Sequence, residues 1–381
     1  MIPFNKPYLT GKETQYIEQA VKSGKISGNG EFTKKCQLFF EEKYGFKKCL
    51  LTTSCTDALE MCAILADIKP GDEVIIPSYT FVSTALAFVR QGAKIVFADS
   101  QINHPNIDAE KIESLITAHT RAIVAVHYAG MACDMKNIKL VAVKYNLLLI
   151  EDAAQAIESY WKPDDVPQIA LGGIGHLSAF SFHETKNIIS GEGGMLVIND
   201  DRFIQRAEII WEKGTNRAEF FRGEVDKYGW VDIGSSFLPS EIISAFLWAQ
   251  IENLDNIQSK RIRIWDEYYN GLKPLAEKGF FRLPEIPEYA TNNAHMFYLV
   301  CNSLKDRSEL ITFLKKNNIS AVFHYQSLHS SKFYMDKHDG RELLNCDVFK
   351  DCLLRLPMFY ELELCDITTI VRTIGDFCGK N

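Results

Sequence analysis

The chain has 381 residues, 46% of them hydrophobic and 24% charged, the balance of an ordinary globular protein, which excludes general disorder. Its 42 Lys and Arg against 49 Asp and Glu leave a formal charge of −7, and it carries no Lys/Arg block, which argues against a nucleic-acid binder. A small anionic ligand is not excluded, because a few local donors suffice to hold one.

At roughly 150 residues per domain, the length suits two to three domains, or one large domain with a small partner. The segment Met1-Ile2-Pro3-Phe4-Asn5-Lys6 lacks the charged-then-apolar layout of a secretion signal, and no apolar run approaches the ~18 residues that span a bilayer. The chain therefore reads as cytoplasmic. Its ten cysteines show no C-x-x-C pair and no ligand-spaced Cys/His cluster, so they read as reduced, mostly buried thiols, with no metal site.

In chain order, residues 10–24 predict a helix, with Thr10 as N-cap and Glu13 completing a capping box. From about 47 to 200 short apolar runs alternate with helical patterns. Strands are expected at Cys49–Thr53, Glu73–Pro77, Lys94–Ala98, Ala122–His127, Leu147–Glu151, Leu177–Phe182 and Met195–Ile198. Several are apolar at consecutive positions, as strands covered on both faces are. The clearest helix between them is 56–67, with Leu59, Met61, Cys62, Ile64 and Leu65 on one face. Such alternation predicts an α/β protein with a mostly parallel sheet, helices on both faces and ligands at the carboxyl ends of strands. Residues 214–239 have no clear period and read as a long ordered loop, a kind uncommon unless functional. A helical pattern over roughly 240–275 follows. Strands at 295–301 and 319–324 and helices near 305–316 and 363–375 then suggest a small α+β domain. The division expected is 1–240 for the large domain and 241–381 for the connecting helix and small domain.

Four features could carry chemistry. The run Leu147-Leu148-Leu149-Ile150 ends in Glu151-Asp152-Ala153-Ala154-Gln155, which places an acid at the end of a buried strand; the plain alternative is a helix N-cap. Ser181-Phe182-His183-Glu184-Thr185-Lys186-Asn187 sets a lysine after a buried strand and before Gly191-Glu192-Gly193-Gly194. Desolvation lowers a lysine's pKa and frees its amine for Schiff-base chemistry, whereas a solvated loop lysine would be inert. Thr53-Ser54-Cys55-Thr56-Asp57 joins a strand to a helix, where hydroxyls and backbone N–H groups bind phosphate or merely cap the helix. In Pro77-Ser78-Tyr79-Thr80-Phe81 an aromatic residue past a strand end stacks on a planar ring or packs in the core. Together these are phosphate donors, a stacking ring, an acid and a reactive lysine. Pyridoxal 5′-phosphate (PLP) needs that set: the lysine holds its aldehyde as an imine, and the acid pairs with the ring nitrogen so that the ring acts as an electron sink.

At these residues the sequence resembles the sugar aminotransferases of the DegT/DnrJ/EryC1/StrS family, of the aspartate aminotransferase-like PLP fold, over nearly its whole length. Further segments that carry the resemblance are Pro70-Gly71-Asp72-Glu73-Val74-Ile75, Val126-His127-Tyr128-Ala129-Gly130, Glu212-Lys213-Gly214-Thr215-Asn216-Arg217 and Phe323-His324-Tyr325. The resemblance implies that Lys186 is the Schiff-base lysine and moves the proton between sugar carbon and cofactor. It implies that Asp152 pairs with the pyridine nitrogen, Gln155 meets the ring hydroxyl and Phe81 stacks on the ring. Cys55, Thr56 and Ser181 would hold the phosphate, completed by Asn216 from the partner subunit of a homodimer. The substrates implied are L-glutamate and a nucleotide-linked keto sugar, aminated at C4 of a dTDP-4-keto-6-deoxyhexose or, alternatively, at C3. Related dehydratases that deoxygenate C3 carry His at the lysine position, so Lys186 argues against that chemistry. The complete set Asp152, Gln155, Ser181 and Lys186 argues against a non-catalytic PLP-binding protein.

Two departures concern the sugar side. Relatives often read His-Tyr-x-Pro-Leu-His where this chain has His324-Tyr325-Gln326-Ser327-Leu328-His329, and residues 161–173 are longer than the loop expected there. His183, Glu184, His127, His324 and His329 are open between site and structural roles.

Overall fold

The computed structural model describes residues 1–164 and 166–379. Asp165, within the long 161–173 segment, lies outside the described residues. The strands are β1 (Lys48–Thr52), β2 (Glu73–Pro77), β3 (Lys94–Ala98), β4 (Thr120–Val126), β5 (Leu148–Asp152), β6 (Tyr160–Trp161), β7 (Ile169–Ala170), β8 (Leu177–Ser181), β9 (Gly194–Ile198), β10 (Phe281–Arg282), β11 (Tyr298–Cys301), β12 (Val322–Phe323) and β13 (Leu353–Arg355). Each of the seven strands expected up to residue 200 forms, within two residues of its expected ends. They build one sheet in the order β1-β9-β8-β5-β4-β2-β3. Only β9 runs against the rest, pairing antiparallel with both β1 and β8.

The reason lies in the connection. A parallel neighbour needs a crossover of a dozen or more residues, usually helical. Between β8 and β9 the chain instead folds back on itself, with Phe182 N–H donating to the Gly193 carbonyl at 2.8 Å and Glu184 N–H to that of Gly191 at 2.9 Å. Lys186 sits in this returning loop and so stays at the carboxyl ends of the parallel strands.

The sheet is buried on both faces. On the adjacent residues Val74 and Ile75 of β2, one side chain enters the core under α3 (Cys55–Leu65) and α4 (Val82–Arg90), the other the opposite core. A third core belongs to the C-terminal part, where β10-β11-β13-β12 form a four-stranded antiparallel sheet against Leu254–Ala276 and Leu364–Cys378. The N-terminus joins that sheet's end of the molecule: Ile2 bridges Ile319, and the Phe4 carbonyl accepts from Met358 N–H at 3.2 Å.

Three expectations change. The first helix starts at Glu13, not near residue 10, and Lys12 is its N-cap. Glu13 still reaches back, accepting from Thr10 and Gly11 N–H at 2.8 and 3.0 Å, but Thr10 caps no helical N–H beyond Lys12. The helical pattern over 240–275 is two helices, Glu241–Ile251 and Leu254–Ala276, broken at Glu252 and Asn253. The 214–239 loop contains a short helix, Arg217–Arg222, ended by Gly223 in the left-handed region at φ 76°.

Candidate active site

A cavity of about 750 Å³ opens where the parallel strands end. Seven of the eight residues singled out from the sequence line it: Cys55, Thr56, Phe81, Asp152, Gln155, Ser181 and Lys186. The eighth, Asn216, does not. Its side chain accepts from Gly229 N–H at 2.9 Å and donates to Glu219 at 3.1 Å.

The floor follows from strand ends. Beyond β1, Ser54 caps α3, accepting from Asp57 N–H at 3.1 Å, so that Cys55 and Thr56 form its first turn. The Thr56 hydroxyl bonds that of Ser83 in the first turn of α4 at 2.8 Å. Two helix N-termini thus meet at the cavity, and their unpaired N–H groups favour an anion. Gly194 lets the chains approach there: a Cβ on it would lie 2.4 Å from the Cys55 nitrogen. Burial pushes the Cys55 thiol well up, which keeps it protonated.

Adjacent acids on β5 have opposite fates. Glu151 points into the core, where His127 Nε2 lies 2.8 Å away and the N–H groups of Gly172, Ile174 and Gly175 donate to it. Burial works against its charge, but these partners hold its carboxyl below the usual range. Asp152 faces the cavity with fewer partners, the Thr84 hydroxyl at 2.7 Å and Ala154 N–H at 3.2 Å, and burial raises it. A buried carboxylate with so few donors is suited to a cationic ring nitrogen. Lys186 is also desolvated, and burial lowers its pKa, which increases the share of neutral amine able to attack a carbonyl. Its loop is held by Asn187, whose amide donates to Gln258 and to the Asn293 carbonyl, both at 3.0 Å.

Gln155 is fixed at both ends of its amide: Oε1 accepts from Ala129 N–H at 2.6 Å and Nε2 donates to the Tyr325 hydroxyl at 3.0 Å. Phe81 is 55% exposed at the N-cap of α4, free of the core. Ser181 ends β8 and also lines the cavity.

The opposite wall comes from the C-terminal part: His295, His324, Tyr325 and Arg355. The Tyr128 hydroxyl bonds His324 Nδ1 at 2.7 Å, and the Tyr79 hydroxyl donates to the His324 carbonyl. Tyr325 stacks on His324 with centroids 3.5 Å apart and has φ 57°, a conformation costly for a bulky residue. Burial keeps His295 and His324 well below the ordinary histidine value and hence neutral. Of the histidines left open, His127 lines the cavity but serves Glu151 and Cys133 N–H, and His329 bonds Ser78 at 2.7 Å outside the lining. His183 lines the cavity, while Glu184 is exposed and outside the lining. Thr84, Tyr325, His295 and Arg355 were not singled out from sequence. Thr84 could have been found from its i+4 spacing to Thr80, whose hydroxyl bonds it at 2.9 Å.

A family model described as the DegT/DnrJ/EryC1/StrS aminotransferase family matches residues 7–375. The chain belongs to this family. It is therefore an aminotransferase. It is 30% identical over 98% of its length to the spore coat polysaccharide biosynthesis protein SpsC of Bacillus subtilis, of which 96% is covered. Among solved structures it resembles S. venezuelae DesV, solved in complex with a ketimine intermediate, at 26% identity and TM-score 0.88, over 99% of this chain and 98% of that one. The PLP form of Spr1654 of Streptococcus pneumoniae shares the fold, at 23% identity and TM-score 0.89 over 100% of this chain and 99% of that one.

Proposed function

We propose that this aminotransferase uses PLP to transfer an amino group from L-glutamate to the C4 keto carbon of a dTDP-4-keto-6-deoxyhexose, giving a dTDP-4-amino-4,6-dideoxyhexose of galacto configuration. The observation that carries the cofactor reading is the convergence of Lys186, Asp152, Gln155 and the first turn of α3 on one cavity. When bound, the cofactor supplies an aldehyde for the amine and a ring that accepts an electron pair.

The residues fit it. The buried amine of Lys186 takes the cofactor and afterwards carries the proton to and from the sugar carbon. Asp152, short of partners, offers its charge to the ring nitrogen. Cys55 and Thr56 present N–H groups, with the Thr56 and Ser181 hydroxyls, to the phosphate. Phe81 stacks on the ring, and Gln155 lies against its hydroxyl side. In this reading residues 1–240 hold the cofactor and 241–381 close the sugar side.

Asn216 fits a role in a homodimer. It lies outside its own cavity, and its loop exposes Phe221, Val231, Ile233 and Trp230, the last at 84%. So much apolar surface on one loop supports association with a second copy, whose phosphate site Asn216 would complete.

The sugar reading rests on a resemblance to dTDP-4-amino-4,6-dideoxygalactose transaminase and on the lysine at position 186. Incubation with L-glutamate and either a 4-keto or a 3-keto dTDP-sugar tests it. Formation of 2-oxoglutarate with the 4-keto sugar, and an axial C4 amine by NMR, is expected. Turnover confined to the 3-keto sugar would reassign the reaction to C3.

A further inference from the structure

His295 lines the cavity from the wall side and is 6% exposed. Its Nδ1 lies 2.9 Å from Oδ1 of Asn187, the residue that follows Lys186. The other end of that amide decides which of the two atoms carries the hydrogen. Asn187 Nδ2 donates to the Asn293 carbonyl and to Gln258 Oε1, both at 3.0 Å. A backbone carbonyl only accepts, so the amide cannot be turned round and its oxygen faces the imidazole. The hydrogen of this bond therefore belongs to His295 Nδ1. Burial keeps the ring neutral, and the charges of Lys186, Arg261 and Arg355 work in the same direction. A neutral imidazole with its hydrogen on Nδ1 has a lone pair on Nε2. Among the described residues no group donates to that atom.

The other histidines of the lining, His127, His183 and His324, differ. His127 is engaged at both nitrogens, with Glu151 and with Cys133 N–H. His183 accepts at Nδ1 from Thr185 N–H at 3.3 Å, so its Nε2 carries the hydrogen and is a donor. His324 shares Nδ1 with the Tyr128 hydroxyl, which gives or takes a hydrogen bond equally well. Of the four, only His295 is fixed with an acceptor unused. A lone pair repels a carboxylate or a diphosphate and attracts an O–H or N–H.

We propose that Nε2 of His295 accepts a hydrogen bond from the C3 hydroxyl of the sugar. The inference rests on the proposed amination at C4. Lys186 must reach C4, and His295 is tied through Asn187 to the lysine's own loop, so the ligand group it meets stands next to the reacting carbon. In a 4-keto-6-deoxyhexose C4 has two neighbours. C5 carries the ring oxygen and the methyl carbon, and neither donates. C3 carries a hydroxyl, the one donor adjacent to C4. A sugar without it would leave Nε2 desolvated and unpaired, which is costly in a buried site. His295 thereby selects the sugar without moving the proton itself.

The test compares a dTDP-4-keto-6-deoxyhexose with its 3-deoxy analogue, with L-glutamate as donor and kcat/KM as the reading. The wild type is expected to favour the hydroxylated sugar by about 50-fold. His295→Asn places an amide nitrogen near the position of Nδ1, which keeps the bond to Asn187 and removes the acceptor. The preference should then collapse to about 2-fold, through loss with the hydroxylated sugar alone. His295→Gln places an amide oxygen near the position of Nε2 and should recover part of the preference. Both sugars are measured on the same variant, so loss of fold or of cofactor lowers both values and cannot mimic the result.

The proposal is overturned if His295→Asn keeps the wild-type preference. It is equally overturned if the variants slow both sugars by the same factor, which would make His295 a support for the lysine loop. A wild-type enzyme that aminates the two sugars equally well overturns it while leaving amination at C4 in place. Turnover confined to a 3-keto sugar would remove the C4 reading itself, and the hydroxyl contact with it.

Discussion

The floor of the cavity and the wall facing it are assembled from opposite kinds of chain. Every floor residue stands within a few positions of a strand's carboxyl end: Cys55 and Thr56 after β1, Phe81 after β2, Asp152 ending β5 with Gln155 after it, and Ser181 ending β8 with Lys186 after it. The wall gathers His295, His324, Tyr325 and Arg355 from loops and a short antiparallel strand, and hydrogen bonds tie His324 to Tyr79 and Tyr128 on the floor's own loops. Backbone topology therefore positions the floor, whereas tertiary packing positions the wall. A parallel sheet delivers its strand ends to one edge whatever the loops do, so the chemistry common to the family belongs there. Substrate recognition belongs on the more adjustable wall.

The comparison is broken most directly at the lysine. Lys186→Ala is expected to lower turnover by at least about 10³-fold, measured with the sugar substrate under multiple turnover, while thermal unfolding stays near that of the wild type. Appreciable turnover in that variant would remove the floor's claim to the chemistry.

Neighbouring acids sharpen the point within the floor itself. Glu151→Gln leaves donors of a buried pair uncompensated and should cost about 3 kcal/mol of stability, read from denaturant midpoints. Asp152→Asn should leave stability nearly unchanged and lower kcat by about 100-fold. Exchange of these two outcomes would reverse the roles assigned to the two faces of β5.

Buried histidines give a pH test. Burial holds His104 near a pKa of about 3, against an ordinary value of 6.5. The unfolded chain takes up this proton below about pH 6.5 and the folded chain does not, so acidification favours unfolding. This one residue should contribute about 2 kcal/mol of lost stability between pH 7 and pH 5. The slope of stability against pH in that window should flatten in His104→Asn. His295 and His324 on the wall are lowered in the same direction, so the wall is expected to loosen in acid as well.

The smallest effect is expected at the seam between the two regions. Tyr325→Phe removes the hydrogen bond to Gln155 and should change the KM for the sugar nucleotide by about 5-fold, with kcat altered less. A large loss in kcat instead would make Tyr325 part of the reacting centre.

Much of this protein was legible in its residues. Runs such as Glu73-Val74-Ile75-Ile76-Pro77 declare buried strands, because two-sided burial leaves no polar face. The floor residues could be named because each belongs to a strand-end motif a few residues long. Sequence erred where the determinant was not local. The break at Glu252 and Asn253 interrupts no apolar period, and the start of the first helix was decided by Glu13 turning back to Thr10 and Gly11, with Gln250 as a further partner.

Only the tertiary structure decided the wall and the state of its groups. Arg355 follows two leucines in a short apolar strand and resembles any strand-edge arginine in sequence. Its place in the lining brings it against Phe4, 351 positions earlier, with the guanidinium carbon 4.7 Å from the ring centre. Likewise Glu151 and Asp152 are chemically alike and adjacent. Their opposite pKa shifts arise from which face of the strand each occupies and how many donors meet it there. Local chain chemistry determined the strands and the residues at their ends. Long-range packing determined which charges were left without partners, because desolvation and pairing depend on neighbours that the chain brings together only on folding.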